Sequence, residues 1–184
     1  MNLEDDIIAA ASRQWVESVV IDLNLCPFAK RELVKNRVRF SVTGATTEEQ
    51  LLTALEGELE LIVSNPLIET TLLIHPAVLQ TFADYNQFLG VADSLLLQMK
   101  LEGIYQIASF HPDYQFDGTD PDDAENYTNR SPYPMLHLLR EESLERAIVD
   151  FPNTGNIPVR NIELMNSLGG DKLRALLRAC LEDN

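Results

Sequence analysis

Cysteine is scarce in this chain: there are two among 184 residues, Cys26 and Cys180. They stand far apart, so no disulfide framework is present, and in a reducing cytosol a bond between them is not expected. Long apolar runs are also missing. Runs such as Leu72-Leu73-Ile74 and Leu95-Leu96-Leu97 fall far short of the roughly 20 residues a membrane-spanning helix needs. Positive charge is thin. Lys and Arg number 14 against 29 Asp and Glu, a formal net charge of −15. Binding to a phosphate backbone depends on Lys and Arg, and none cluster here. Nucleic acid and an anionic membrane surface are therefore not expected as partners. There is no glycine-rich phosphate cradle and no Gly-x-Ser-x-Gly nucleophile elbow. Asn2-Leu3-Glu4-Asp5-Asp6 is acidic where a secretory leader is basic, which points to a soluble cytoplasmic protein.

What is present reads as one α/β domain over residues 1–184. Ile8, Ala11, Trp15, Val19 and Leu23 mark one face of a helix over 3–23. A short helix is expected from Pro27 to about Asn36, with Cys26 at its N-cap. Val38–Val42 alternates like a strand. Thr47-Glu48-Glu49-Gln50 is a capping box that opens a helix ending at Asn65-Pro66. Thr70–His75 is a nearly continuous apolar run, as in a buried strand. A long amphipathic helix from Val78 to Met99 follows, with Gly103 as its cap, and then a strand over 104–110. Short helices are expected near 134–141, 143–150, 158–168 and 171–182. Strand–helix–strand–helix–strand implies a small, mainly parallel three-stranded sheet with helical crossovers. An N-terminal helix and a C-terminal helical portion would wrap it, and a mixed sheet is the alternative.

Between the third strand and the next helix lies a long segment, 111–134. It is too aromatic for a disordered linker, so it is expected to be ordered and packed through Tyr114, Phe116, Tyr127 and Tyr133. His75-Pro76 and His111-Pro112 both stand at the carboxyl ends of expected strands. Ligands bind at that rim in open parallel sheets. If the two strands are neighbours the histidines share a site, with Asp113 beside His111. The plainer alternative is that each imidazole braces a turn.

Cys26 sits at an expected helix N-terminus with Lys30 and Arg31 nearby, an environment that stabilises thiolate. Its plainer role is that of a small buried hydrophobe. Asn129-Arg130-Ser131-Pro132-Tyr133-Pro134 is a stiff segment that could aim Arg130 at a carboxylate or phosphate. Alternatively, Arg130 holds the acidic loop closed. His137, Arg140 and Glu141 lie within one helical turn in that reading. Asn129, Arg130, Tyr133, His137 and Arg140 are the candidate substrate contacts. Cys26, His75, His111 and His137 have the donor types that zinc or another transition metal takes, although no close-spaced pair marks a site.

The segments Asn24-Leu25-Cys26-Pro27-Phe28-Ala29, Ser109-Phe110-His111-Pro112-Asp113-Tyr114-Gln115-Phe116 and Asn126–Glu141 resemble the signatures of a bacterial family of unknown function, number 1415. The resemblance implies a single soluble bacterial domain and carries no catalytic assignment. The expected function is therefore an enzyme acting on a small polar substrate at a Cys/His/Arg site on the sheet rim. Cys26 would be the nucleophile and His75 or His111 the base, or these groups would hold a metal that activates water. The alternative is a binding or scaffolding protein that uses the 111–134 loop as its interaction surface.

Overall fold

The structure is a computed structural model of the chain and describes residues 3–150 and 154–182. Its centre is a four-stranded mixed sheet in the order β1-β2-β4-β3. The strands are β1 (Val38–Val42), β2 (Thr70–Ile74), β3 (Tyr105–Phe110) and β4 (Met135–Arg140). β1 pairs with β2 in parallel, and β4 is antiparallel to both β2 and β3.

The expected three-stranded, mainly parallel sheet is thus corrected. Met135-Leu136-His137-Leu138-Leu139-Arg140 favours a helix because it is rich in good helix formers, yet it forms β4. Insertion between two partners overrides that propensity. A central strand is covered on both faces, so it carries no polar alternation to betray it. The three strands that the sequence suggests do point the same way, but only β1 and β2 are hydrogen-bonded to each other.

Helices α3 (Glu48–Ser64) and α4 (Phe82–Gln98) cover one face. Their Leu51, Leu55, Leu59, Tyr85 and Phe88 pack with Leu73, Leu136 and Leu138 of the sheet. Thr47 caps α3 by accepting from the Gln50 N–H, as the capping box requires. α4 starts later than its apolar stripe suggests, at the cap Thr81. It ends not on Gly103 but on Lys100, whose φ is 59°, with the Leu101 N–H returning to the Leu96 carbonyl.

The other face is covered by α1 (Leu3–Trp15), a π-helical segment (Val16–Ile21), α6 (Ile157–Leu168) and α7 (Gly170–Glu182). The expected single helix over 3–23 therefore changes winding at Trp15. Helix α2 (Ala29–Val34) begins two residues later than Pro27, with Phe28 rather than Cys26 at its N-cap. Helix α5 (Glu141–Asp150) follows β4 directly.

Candidate functional site

The sheet direction puts His75 and His111 on one rim, each just past the carboxyl end of its strand. Both are fully buried, and both flank Tyr85, with ring centroids 5.8 and 5.1 Å from it. Three of their four ring nitrogens bond the backbone, and His75 Nε2 is buried without a partner among the described residues. His75 Nδ1 donates to the Val78 carbonyl at 3.0 Å. His111 Nδ1 accepts the Asp113 N–H at 3.0 Å, so its proton sits on Nε2, which donates to the Leu79 carbonyl at 3.1 Å. Leu79 has a φ of 56°, a conformation a leucine rarely adopts. The two imidazoles thus pin the strained turn between β2 and α4. Burial lowers the pKa of both, that of His75 to about 4, so they are neutral.

Loop 111–134 is organised from within by a residue the sequence reading did not single out. Asn126 is fully buried. Its Oδ1 accepts from Phe116 N at 3.0 Å and Thr119 Oγ1 at 2.8 Å, and its Nδ2 donates to the Asp120 carbonyl at 2.8 Å. Arg130 donates to the carbonyls of Tyr114 and Pro121 and lies 4.6 Å over the Tyr127 ring. Asn129 donates to the Ser109 carbonyl, and Tyr133 is half-buried against the core of the face that α1, α6 and α7 cover. Asp113 is exposed. Arg140 points to the α3 side of the sheet. It donates to the carbonyls of Ile62, Asn65 and Ile68 and to the Tyr105 hydroxyl, so its guanidinium caps the carbonyl end of α3.

A cleft of about 290 Å³ lies on the opposite face, toward the start of β2, and its lining is overwhelmingly apolar. Its floor is set by strand alternation: Val38 of β1, Thr70 and Leu72 of β2, Ala108 and Phe110 of β3, and His137 and Leu139 of β4 all contribute. Leu72, His137 and Ala108 form one row across three strands, and the small Ala108 beside His137 leaves room above it. The walls are Trp15, Val16 and Val20, the Cys26–Ala29 turn, and Ser143 and Leu144 of α5. The π-helical winding brings Trp15, Val16 and Val20 into this one wall. Such winding is rare and recurs at functional sites.

Of the predicted residues, Cys26, His137 and Arg140 line the cleft; His75, His111, Asp113, Asn129, Arg130 and Tyr133 do not. Among the described residues no group of three or more His, Cys, Asp or Glu is arranged to hold a metal ion. Burial pushes the Cys26 thiol up, against the opposing effect of the Phe28 and Ala29 backbone N–H groups. Burial lowers the His137 pKa to about 4.

The lip of the cleft carries an ion-pair chain. Arg31 bonds Glu32 at 2.6 Å, and Arg37 bridges Glu32 and Glu69. Both glutamates are buried. Trp15, Thr70, Glu32 and Glu69 are site residues that sequence reasoning missed. Residue type and spacing give no sign of their partnership, since Arg37 reaches Glu69 across 32 residues.

These features define an α/β protein with a mixed sheet and an apolar cleft on the face that α1 and the π-helical segment cover. The chain belongs to the family described as protein of unknown function (DUF1415), whose model matches residues 7–175. No curated protein and no solved structure matches it. Among the described residues no helix is long and apolar enough to cross a membrane.

Proposed function

We propose that this protein binds a small, mainly apolar molecule in the cleft between the π-helical segment and the sheet, with Cys26 and His137 as the polar groups that meet it. The observation that carries this reading is the cleft itself: a preformed apolar cavity with a few convergent polar groups. The substrate expected from the sequence was polar. A mainly apolar one fits this lining better, because a charged molecule would lose its hydration without gaining a partner.

An enzymatic reading moves with the residues, from the sheet rim to the cleft. Cys26 would be the nucleophile and His137 its base. Burial opposes that pair, raising the thiol pKa and lowering the imidazole pKa. Both effects disfavour a thiolate–imidazolium couple. Binding is therefore the reading the geometry supports best.

Trp15 is the only tryptophan and lines the cleft, so its fluorescence reports occupancy. Titration with neutral single-ring aromatics should change Trp15 emission saturably. Ala108→Phe, which fills the floor, should remove the response while the fold persists by circular dichroism. A wild-type chain with no saturable response up to millimolar ligand would end this reading.

A further inference from the structure

We infer that the cleft selects a neutral ligand carrying a hydroxyl or N–H donor on an apolar body, read by His137 Nδ1 acting as an acceptor. This rests on the binding reading above and adds the ligand's chemical class.

Thr70 Oγ1 lies 2.6 Å from the Leu138 carbonyl, which can only accept, so the single hydroxyl proton of Thr70 points there. His137 Nε2 lies 2.6 Å from the same Oγ1. With the Thr70 proton committed, Nε2 must be the donor in that contact. The neutral ring then has its one proton on Nε2 and a lone pair on Nδ1. Nδ1 has no hydrogen bond to a described residue. Among the described residues the unpartnered side-chain nitrogens sealed from solvent are Trp15 Nε1 and His75 Nε2, so His137 Nδ1 is reached from the cleft that its ring lines. Strand register holds the device in place. Thr70 and His137 sit diagonally on paired β2 and β4, and both backbones are fixed by the ladder.

The charges nearby set the sign of the ligand. Two arginines border the cleft, Arg31 and Arg140, the latter with its guanidinium turned to the α3 side of the sheet. Arg31 is paired to Glu32, and Arg140 is bonded to carbonyls of the α3 terminus. A carboxylate ligand would meet a lone pair on His137 and two acidic side chains at the lip. A hydrocarbon would fill the volume and leave Nδ1 without a partner.

The test is a matched series on the full chain at pH 7.5: toluene, benzyl alcohol, benzylamine and benzoate. These share one ring and differ in the polar group. Trp15 fluorescence reads affinity, and nitrogen NMR of the imidazole reads the tautomer. Benzyl alcohol should bind about tenfold more tightly than toluene or benzoate, the size of one hydrogen bond to an otherwise unsatisfied group. His137 should appear as the Nε2–H tautomer. Thr70→Val removes the acceptor that fixes the tautomer. It should mix the two forms and raise benzoate relative to benzyl alcohol, which a purely structural role for Thr70 would not do. His137→Phe should abolish the alcohol preference and retain toluene binding. Toluene binding as tightly as benzyl alcohol, or benzoate or benzylamine binding tightest, overturns this ligand class and leaves the cleft reading standing. An Nδ1–H tautomer in the wild-type protein overturns it even if a variant fails to fold. If no member binds, the cleft reading fails and this inference with it.

Discussion

His111 Nε2 donates to the Leu79 carbonyl at 3.1 Å, joining residues 32 apart in sequence and holding a leucine at a φ of 56°. With His75 on Val78, this makes the two His-Pro pairs braces for one turn. His111→Ala should leave the Asp113 N–H and the Leu79 carbonyl without partners. The expected cost is about 2 kcal/mol in urea unfolding, with ligand response at the cleft unchanged. Loss of the cleft response without loss of stability would show that the rim takes part in binding.

Acid should destabilise the protein through these rings. The folded pKa of His75 is about 4 against an ordinary 6.5, because burial penalises the imidazolium. The unfolded chain therefore binds more protons between those values. The contribution of His75 is fully present above pH 6.5 and is lost as pH falls toward 4, up to about 3 kcal/mol in total. Unfolding free energy measured between pH 7.5 and 4.5 should fall with pH, and His75→Asn should lessen the slope while buried His137 and His111 keep the rest. A wild-type curve that is level over that range would contradict the buried neutral state.

Arg140 spans three carbonyls beyond reach of a smaller cation. Arg140→Met should lower stability by about 2–3 kcal/mol, from the hydrogen bonds lost to the carbonyls of Ile62, Asn65 and Ile68. Arg140→Lys should recover little, since one ammonium cannot reproduce the guanidinium fork. Full recovery by lysine in denaturation would show that charge alone matters there.

Arg37 serves two buried carboxylates at once, Glu32 and Glu69. Its removal as Arg37→Met should destabilise by about 3 kcal/mol, because it strands buried charge. Adding Glu69→Gln should return part of that loss. A double-mutant cycle reads the coupling, and additive effects would mean that the bridge contributes nothing.

Asn126 organises the long loop with both ends of its amide. Asn126→Ala should speed amide exchange across 113–128 by at least tenfold while leaving β2 and α3 protected, because three hydrogen bonds close the loop on this one side chain. Unchanged exchange would place the ordering instead in the ring contacts of Tyr114 with Phe82 and Phe116, 5.0 Å from each.

Local chemistry was legible wherever it was decided locally. The Thr47 cap, the β1 alternation, the β2 apolar run and the rim position of His75 and His111 follow from residue type and spacing over a few positions. So did the order of loop 111–134, whose aromatic rings had to be buried somewhere. Three decisions belonged to tertiary structure. Met135–Arg140 became a strand because two unpaired edges, β2 and β3, were available to take its backbone hydrogen bonds. The expected Cys/His/Arg set divided because a strand's two faces and two ends are separate places. His75 and His111 left at one rim, whereas His137 faced the cleft from mid-sheet. The cleft itself came from register, which set Ala108 opposite His137 and Thr70 on its diagonal, and from the π winding after Trp15. No periodicity along the chain encodes which residues will stand opposite one another. That is settled when strands pair, and pairing depends on the packing of everything around them.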